Sequence, residues 1–488
     1  MTGLRLLFAV FLAALFAGVA FAGADQCMVC HSSLGDKPST AFAHDVHHDL
    51  GISCAGCHGG NSSTEDMEQA MDTTKGFRGV MKGDNISRAC AGCHSDSVKM
   101  ASFGVSIPTG QWEKLLNSVH GKMIGKDGNH VVQCTTCHGN HGVARVKTPA
   151  SPVYPTNVVA TCTKCHASAA FMRTYNPSLA VDQLEKYRTS VHGMKNAAGD
   201  IKPAECASCH GSHDILPPTD VKSHVYPTNL PSTCAHCHSD KKYMAQYGIP
   251  TDQYDKYSRS VHGVALLQKH DLGAPGCNGC HGNHGAVPPG VSSISNVCGT
   301  CHAINAELFA ASPHKPAFDK LNMPECETCH SNHEILPVTK AMLGIQRGEV
   351  CGTCHTTVDN PRGYAAAVTI HALVDSLDAA DSVATLLVEE AEQKGMEIGE
   401  AKFRLRDVRQ SRMESRTVIH AFSVDKFRPV VEKGMGLAAK SRQDAEEAIK
   451  EYYFRRTGLG IATLIITVLA VALYVLIRRL ERAQKKPA

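Results

Sequence analysis

All 22 cysteines of the chain fall into the pattern Cys-x-x-Cys-His. The pairs are Cys27 and Cys30, Cys54 and Cys57, Cys90 and Cys93, Cys134 and Cys137, Cys162 and Cys165, Cys206 and Cys209, Cys234 and Cys237, Cys277 and Cys280, Cys298 and Cys301, Cys326 and Cys329, and Cys351 and Cys354. The histidines that close them are His31, His58, His94, His138, His166, His210, His238, His281, His302, His330 and His355. This spacing lets two thiols add to the two vinyl groups of one porphyrin while the adjacent histidine reaches its iron from one face. Structural disulfides would not place a histidine after every second cysteine, and zinc sites rarely repeat one pentapeptide without variation. The motifs therefore predict eleven covalently bound haem c groups, with the motif histidines as proximal iron ligands.

An iron held by two histidines needs the second from the opposite face. The spare histidines recur with the motifs, as a search for internal repeats shows. The block holding Ser190-Val-His192-Gly, Cys206 to His213, Val225 to Asn229 and Cys234 to His238 repeats an earlier one that has His120, His138, His141 and His166. A third copy has His262, His281, His284 and His302, and a compressed fourth has His314, His330, His333 and His355. Each module thus carries two motifs and two spare histidines. Residues three apart on a helix share one face, so His141 cannot serve the iron of His138. With His213, His284 and His333 it is expected on a neighbouring haem. The Ser-x-His residues His120, His192, His262 and His314 complete the distal set. Near the N-terminus His44, His47 and His48 are candidates for three irons, in a region read as a degenerate module plus one extra haem. His130, His224, His236 and His270 do not recur and read as ordinary polar residues. His371 and His420 stay undecided.

Two features say what must position these residues. Aromatic residues make up 6% of the chain, with Trp112 the single tryptophan, too few for a conventional core of this size. Porphyrins would supply the missing apolar bodies, so a mostly helical and irregular, haem-nucleated fold is expected whose folding is coupled to cofactor attachment. The expected regions are 23–116 with three motifs, 117–360 with four two-haem modules, and a cysteine-free stalk over 361–457. In that stalk Ile370, Leu373, Leu377, Ala380, Val383, Leu387 and Ala391 step by three and four, as an amphipathic helix does. Gly395 and Gly399 break it, Ala401, Leu405 and Val408 mark a second helix, and Pro429, Gly434 and Gly436 weaken a third. The stalk reads as a spacer or dimerising element, as a docking surface for a redox partner, or as part of a quinol site with His371 and His420 as proton acceptors near neutral pH. One of these two could instead be a distal ligand, first of all to the haem at His355.

Residues 1–22 read as an export signal, with Arg5 before the apolar run and Ala20-Phe21-Ala22 at its end. Residues 458–477 carry no charge over a length that spans about 30 Å of hydrocarbon as a helix, and 478–488 form a basic tail expected in the cytoplasm. The haem region is then extracytoplasmic, on the periplasmic side. A net charge of +3 on 488 residues argues against a nucleic-acid partner.

The repeated Tyr-x-x-Ser-Val-His-Gly and Cys-x-x-Cys-His-Gly-x-His elements between Cys27 and His355 resemble those of exported multihaem c-type cytochromes, the group that includes hydroxylamine oxidoreductase and its tetrahaem electron acceptor. The resemblance implies low-potential bis-histidine haems in close pairs, in alternating parallel and perpendicular contact. Membrane-bound quinol dehydrogenase cytochromes are similar in task but typically carry fewer haems and an N-terminal anchor. The expected function is electron transfer between a quinol or quinol-dehydrogenase partner in the membrane and an exported acceptor or reductase, with no catalytic residue assigned. Two alternatives remain: an oxidoreductase of small nitrogen or sulfur compounds with one open haem, and a subunit of an extracellular electron conduit. A homo-oligomer through the stalk is a further expectation.

Overall fold

The computed structural model describes residues 25–287, 294–346 and 348–484. The export signal at 1–22 and Lys485 and Lys486 of the basic tail lie outside the described residues. The chain forms two compact units, residues 1–258 with 262–288, and residues 259–261 with 289–488. Among the described residues the structure is helical and irregular, and its only β feature is an isolated bridge between Ile124 and His130.

In the first unit the Cys27–His31 motif lies inside the helix Gln26–Ser33, and the other motifs occupy two kinds of helix. Cys54–His58, Cys134–His138, Cys206–His210 and Cys277–His281 are isolated five-residue helices. Each stops at a glycine, Gly59, Gly139, Gly211 or Gly282, with φ between 68° and 84°, a region that residues with a Cβ adopt only at a cost. The intervening motifs close longer helices, Asp84–His94, Val158–His166 and Leu230–His238. Helices this short are not stable alone, and the apolar core around them is sparse, with residues such as Val158, Met172, Met244 and Leu266 buried. This matches an interior left for large cofactors.

The second unit holds the last motifs and a three-helix bundle: α1 (Pro361–Gln393), α2 (Gly399–Val418) and α3 (Val424–Gln484). α1 begins at Asn360, whose side chain accepts from the Gly363 amide, and Pro361 fits the first helical position. Gly395, at φ 74°, ends the link after α1. The bundle's core comes from Leu373, Leu377, Ala384 and Val388 of α1, Ala401, Leu405 and Val408 of α2, and Phe427, Val431, Ala438 and Ala445 of α3. Beyond Leu377 the buried stripe of α1 slips one position from the sequence reading. Val383 is 44% exposed while Ala384 and Val388 are buried, because Asp381 takes a core-facing place, its carboxylate 2.7 Å from Arg412 Nη1. A stripe traced through apolar residues alone steps past that ion pair.

α3 also departs from expectation, since it runs unbroken through Pro429, Gly434 and Gly436. Pro429 lies near its start, and a Cβ on Gly434 would stand 2.8 Å from Leu377 Cδ1 and 2.9 Å from Ser411 Cβ. Gly434 is where three helices come closest, so its tertiary contacts override its low helix propensity. Packing pairs fix the directions. Leu377 meets Gly434 and Lys394 lies over the rings of Tyr452 and Tyr453, so α1 and α3 run parallel. Ala401 O accepts from Ser441 and Ser411 meets Gly434, so α2 runs back between them. The far part of α3 is long and apolar enough to cross a membrane.

Gly434→Leu is expected to destabilise the bundle by about 1–3 kcal/mol through overpacking, and Leu377→Ala by about 2–5 kcal/mol through an unfilled cavity. Helicity monitored during thermal unfolding of the detergent-solubilised protein checks both.

Candidate haem-binding sites

Each spare histidine is held by a small local device. In the Ser-x-His-Gly element the serine is buried, as at Ser118, Ser190 and Ser260; Ser312 is buried too, but there Pro313 and Lys315 flank the histidine. Ser190 Oγ donates to Tyr187 O at 2.6 Å and accepts from the Gly193 amide at 2.9 Å. A Cβ on Gly193 would collide with the Tyr187 carbonyl, so the glycine after the histidine is sterically required. The residue before the histidine then bonds to a distant strand-like segment. Val119 N donates to Ile215 O at 2.9 Å and Val191 N to Ala286 O at 3.2 Å, and the same bond recurs from Val261 N to Ile335 O at 2.8 Å. Each acceptor lies two residues past a trailing histidine, so one backbone bond fastens both kinds of spare histidine.

The same bond joins Val46 N to Val143 O at 2.9 Å. His47 therefore belongs to the recurring element, which the sequence obscures because Asp45 replaces serine. Asp45 is 2% exposed. Its carboxylate accepts from the His47 amide at 2.9 Å, from His47 Nδ1 at 2.7 Å, and from the Gly142 and Val143 amides at 2.7 and 2.8 Å. Burial pushes its pKa up, but these hydrogen bonds outweigh burial and hold it below the ordinary aspartate value.

With these devices in place, imidazoles oppose one another in pairs. His58 faces His141 with ring centroids 5.9 Å apart, His138 faces His213 at 6.0 Å, and His210 faces His284 at 6.1 Å, with interplanar angles of 6°, 5° and 12°. His47 faces His94 at 6.0 Å and 88°, His120 faces His166 at 6.1 Å and 57°, and His192 faces His238 at 6.0 Å and 60°. In the second unit His314 faces His355 at 5.7 Å and 86°, and His330 faces His420 at 6.0 Å and 19°. Two imidazoles on opposite sides of one metal ion, each bonded through nitrogen at about 2 Å, put their centroids on the order of 6 Å apart. Every pair joins one motif histidine to one spare histidine, so the residues fit an iron porphyrin between them. Beside His355 a cavity of ≈ 630 Å³ opens, lined also by Ile345, Gly352 and Tyr364.

Several of these histidines are tied at Nδ1, leaving Nε2 for a metal. His58 Nδ1 lies 2.8 Å from Gly79 O, His31 Nδ1 2.6 Å from Asp36 Oδ2 and His281 Nδ1 3.1 Å from Val287 O. Outer partners of this kind fix the tautomer of a ligating histidine. Burial first, and then the opposed ring, lowers the pKa of His120, His192 and His314. The neutral imidazole is the ligating form.

The pairing adds three details to the sequence reading. His141 is not on the helix of His138, because Gly139 ends that helix and His141 itself has φ 44°. Its opposed ring belongs to a motif two places earlier in the chain, not the adjacent one, and His213 and His284 follow the same rule. His420 stands opposite His330, whereas His355 is paired with His314. His371 pairs with no ring and lies 3.7 Å from Asp375. Of the N-terminal candidates, His48 rests edge-on against Phe42, and among the described ring contacts His31 faces no second imidazole. His130 bonds to Asp84 at 2.9 Å, a structural role.

The attachment cysteines set a second regularity. First cysteines of successive motifs hydrogen-bond as thiols: Cys90 with Cys134, Cys162 with Cys206, Cys234 with Cys277, and Cys298 with Cys326. The amides of Cys27 and Cys54 share the Asp25 carboxylate at 3.1 and 2.9 Å. Between these couples the second cysteines lie close to the next motif, Cys57 to Cys93, Cys137 to Cys165, Cys209 to Cys234 and Cys237, and Cys329 to Cys351 and Cys354. The close couples straddle the boundaries of the sequence modules. All the cysteines are free of disulfides, and among the described residues no three His, Cys, Asp or Glu side chains cluster as a metal-ion site would require.

Residues 269–356 match the family model of cytochrome c3. No curated protein and no solved structure matches the chain. The paired imidazoles, the attachment motifs and this match define a multihaem electron-transfer cytochrome with covalently bound c-type haem.

Asp45→Ala would remove the acceptor of the His47, Gly142 and Val143 amides, at about 1 kcal/mol for each lost hydrogen bond. The variant is expected to unfold at lower denaturant than the parent, with Asp45→Asn intermediate. Denaturation followed by Soret absorbance checks this.

Proposed function

We propose that the chain carries eleven c-type haems as a row for electron transfer, anchored in a membrane by residues 458–477. The observation behind this reading is the opposition of one motif histidine and one spare histidine at 5.7–6.1 Å, repeated along the chain. In it His47, His120, His141, His192, His213, His284 and His314 are distal ligands. His262 and His333 take the same role because they occupy the same places in the repeat. His44 or His48 is the reserve for the iron of His31. Two histidines on an iron leave no face for substrate, so such a haem exchanges electrons. The coupling of first cysteines, followed by the approach of each second cysteine to the next motif, supports haems that follow chain order within each unit.

The anchor limits how electrons enter. Residues 424–457 of α3 form a helix roughly 50 Å long at about 1.5 Å per residue, so the turn that carries His420 lies about that far along the helix from the apolar segment. His420 precedes this length, and His371 packs at the same end of the bundle. Both lie at the end of the bundle far from the apolar part of α3, which speaks against their taking protons from a quinol in the membrane. An electron donor must reach up as a redox protein of its own. The exported, periplasmic side is the location that fits covalent haem attachment, with the basic tail in the cytoplasm.

A second reading keeps one observation. His31 faces no other imidazole among the described ring contacts, and an iron there with an exchangeable face could bind a small nitrogen or sulfur compound.

Intact mass of the purified protein is expected to exceed that of the processed polypeptide by eleven haems. Electron paramagnetic resonance of the oxidised protein should give two classes of low-spin signal, rhombic from near-parallel imidazoles and strongly anisotropic from steeply crossed ones. Fewer attached haems would overturn the count. A high-spin signal altered by nitrite or cyanide would move the assignment to the enzyme.

A further inference from the structure

The trailing histidines obey a rule that runs out at the end of the motif series. His141, His213 and His284 oppose the motif histidines His58, His138 and His210, each two motifs earlier. The Cys326–His330 motif has no motif two places further on. By that rule its iron would lack a second ligand from the repeat.

From the structure we infer that the helical bundle supplies it, with His420 as the distal ligand of the haem attached at Cys326 and Cys329. This rests on the multihaem reading above and extends it to a region without any attachment motif. His420 opposes His330 at 6.0 Å and 19°, at the distance of the three pairs that follow the rule and nearer their 5–12° than the 57–88° of the crossed pairs. Its Nδ1 lies 3.0 Å from Thr417 O, which leaves Nε2 toward His330, as Gly79 O does for His58.

The backbone around it is shaped to present the ring. α2 ends at Val418, a single 3₁₀ turn spans Ile419–Ala421, and Phe422 turns the chain into α3 at φ 46°. Ala421 is buried. Phe422 sets its ring 4.0 Å from that of His314, the histidine opposed to His355, and also touches Phe309 at 6.3 Å. One turn between two long helices thus provides a ligand to one iron and covers the histidine of the next. The bundle is then part of the haem-binding structure and not a spacer, and the iron at His330 is joined to the membrane helix by continuous α3.

The test uses the full-length holoprotein in detergent. His420→Ala is expected to keep the parent's haem count while one near-parallel low-spin signal becomes high-spin. Reduced protein should bind one more equivalent of carbon monoxide than the parent, and added imidazole should restore the low-spin signal. His420→Met, which keeps a ligand, should stay low-spin with one haem titrating at higher potential, and His371→Ala should change none of these. Parent-like spectra and carbon monoxide stoichiometry in His420→Ala at full haem count would overturn the inference. Should that variant lose haem, an unchanged potentiometric titration of His420→Met would overturn it instead. A parent that carries fewer than eleven haems tells against the broader reading alone.

Discussion

Two imidazole rings facing each other at about 6 Å are the constraint on which the rest of this structure depends. A short helix can present one histidine beside its own cysteines, but it cannot reach the other face of the plane those cysteines anchor. The second ring must arrive from elsewhere in the chain. Each iron site therefore acts as a long-range cross-link, and loops with little apolar content are held by it where an ordinary core would fail.

The backbone serves that requirement with few devices. A buried serine or Asp45 caps the turn that carries one histidine, a glycine lets that turn close, and a single amide bond ties the turn to the segment with another histidine. Where the bond forms, at Val46, Val119, Val191 and Val261, it lies next to both residues, so fastening one ligand fastens the other. Trailing histidines leave a short helix through a residue at positive φ and meet their partners near-parallel, whereas His47, His120 and His192 meet motifs at the ends of longer helices at steep angles.

The three-helix bundle solves a different problem by ordinary means, with Leu377, Val408, Phe427 and Val431 buried between helices and Asp381 paired to Arg412. Its upper turn carries His420 and Phe422 into contact with rings of the last motifs, and its lower end leads into the apolar helix. Length here has functional weight. A helix of roughly 50 Å separates the turn that carries His420 from the apolar segment.

The sequence by itself determined the cofactor chemistry, because covalent attachment depends on residues adjacent in the chain, and it marked most spare histidines through the repeat. It also located the helices of the bundle and the apolar segment, since periodicity and charge are local properties. Which histidine meets which was beyond it. Ligation across an iron joins residues up to tens of positions apart, and helical spacing excluded the iron of His138 for His141 without saying which neighbour it serves. His47 was one of three N-terminal candidates that the repeat could not separate, because an aspartate stands in the place of serine, and His420, outside every motif, stayed undecided. Those pairings exist only where the folded backbone brings two rings to opposite sides of one space, so only the tertiary structure could assign them.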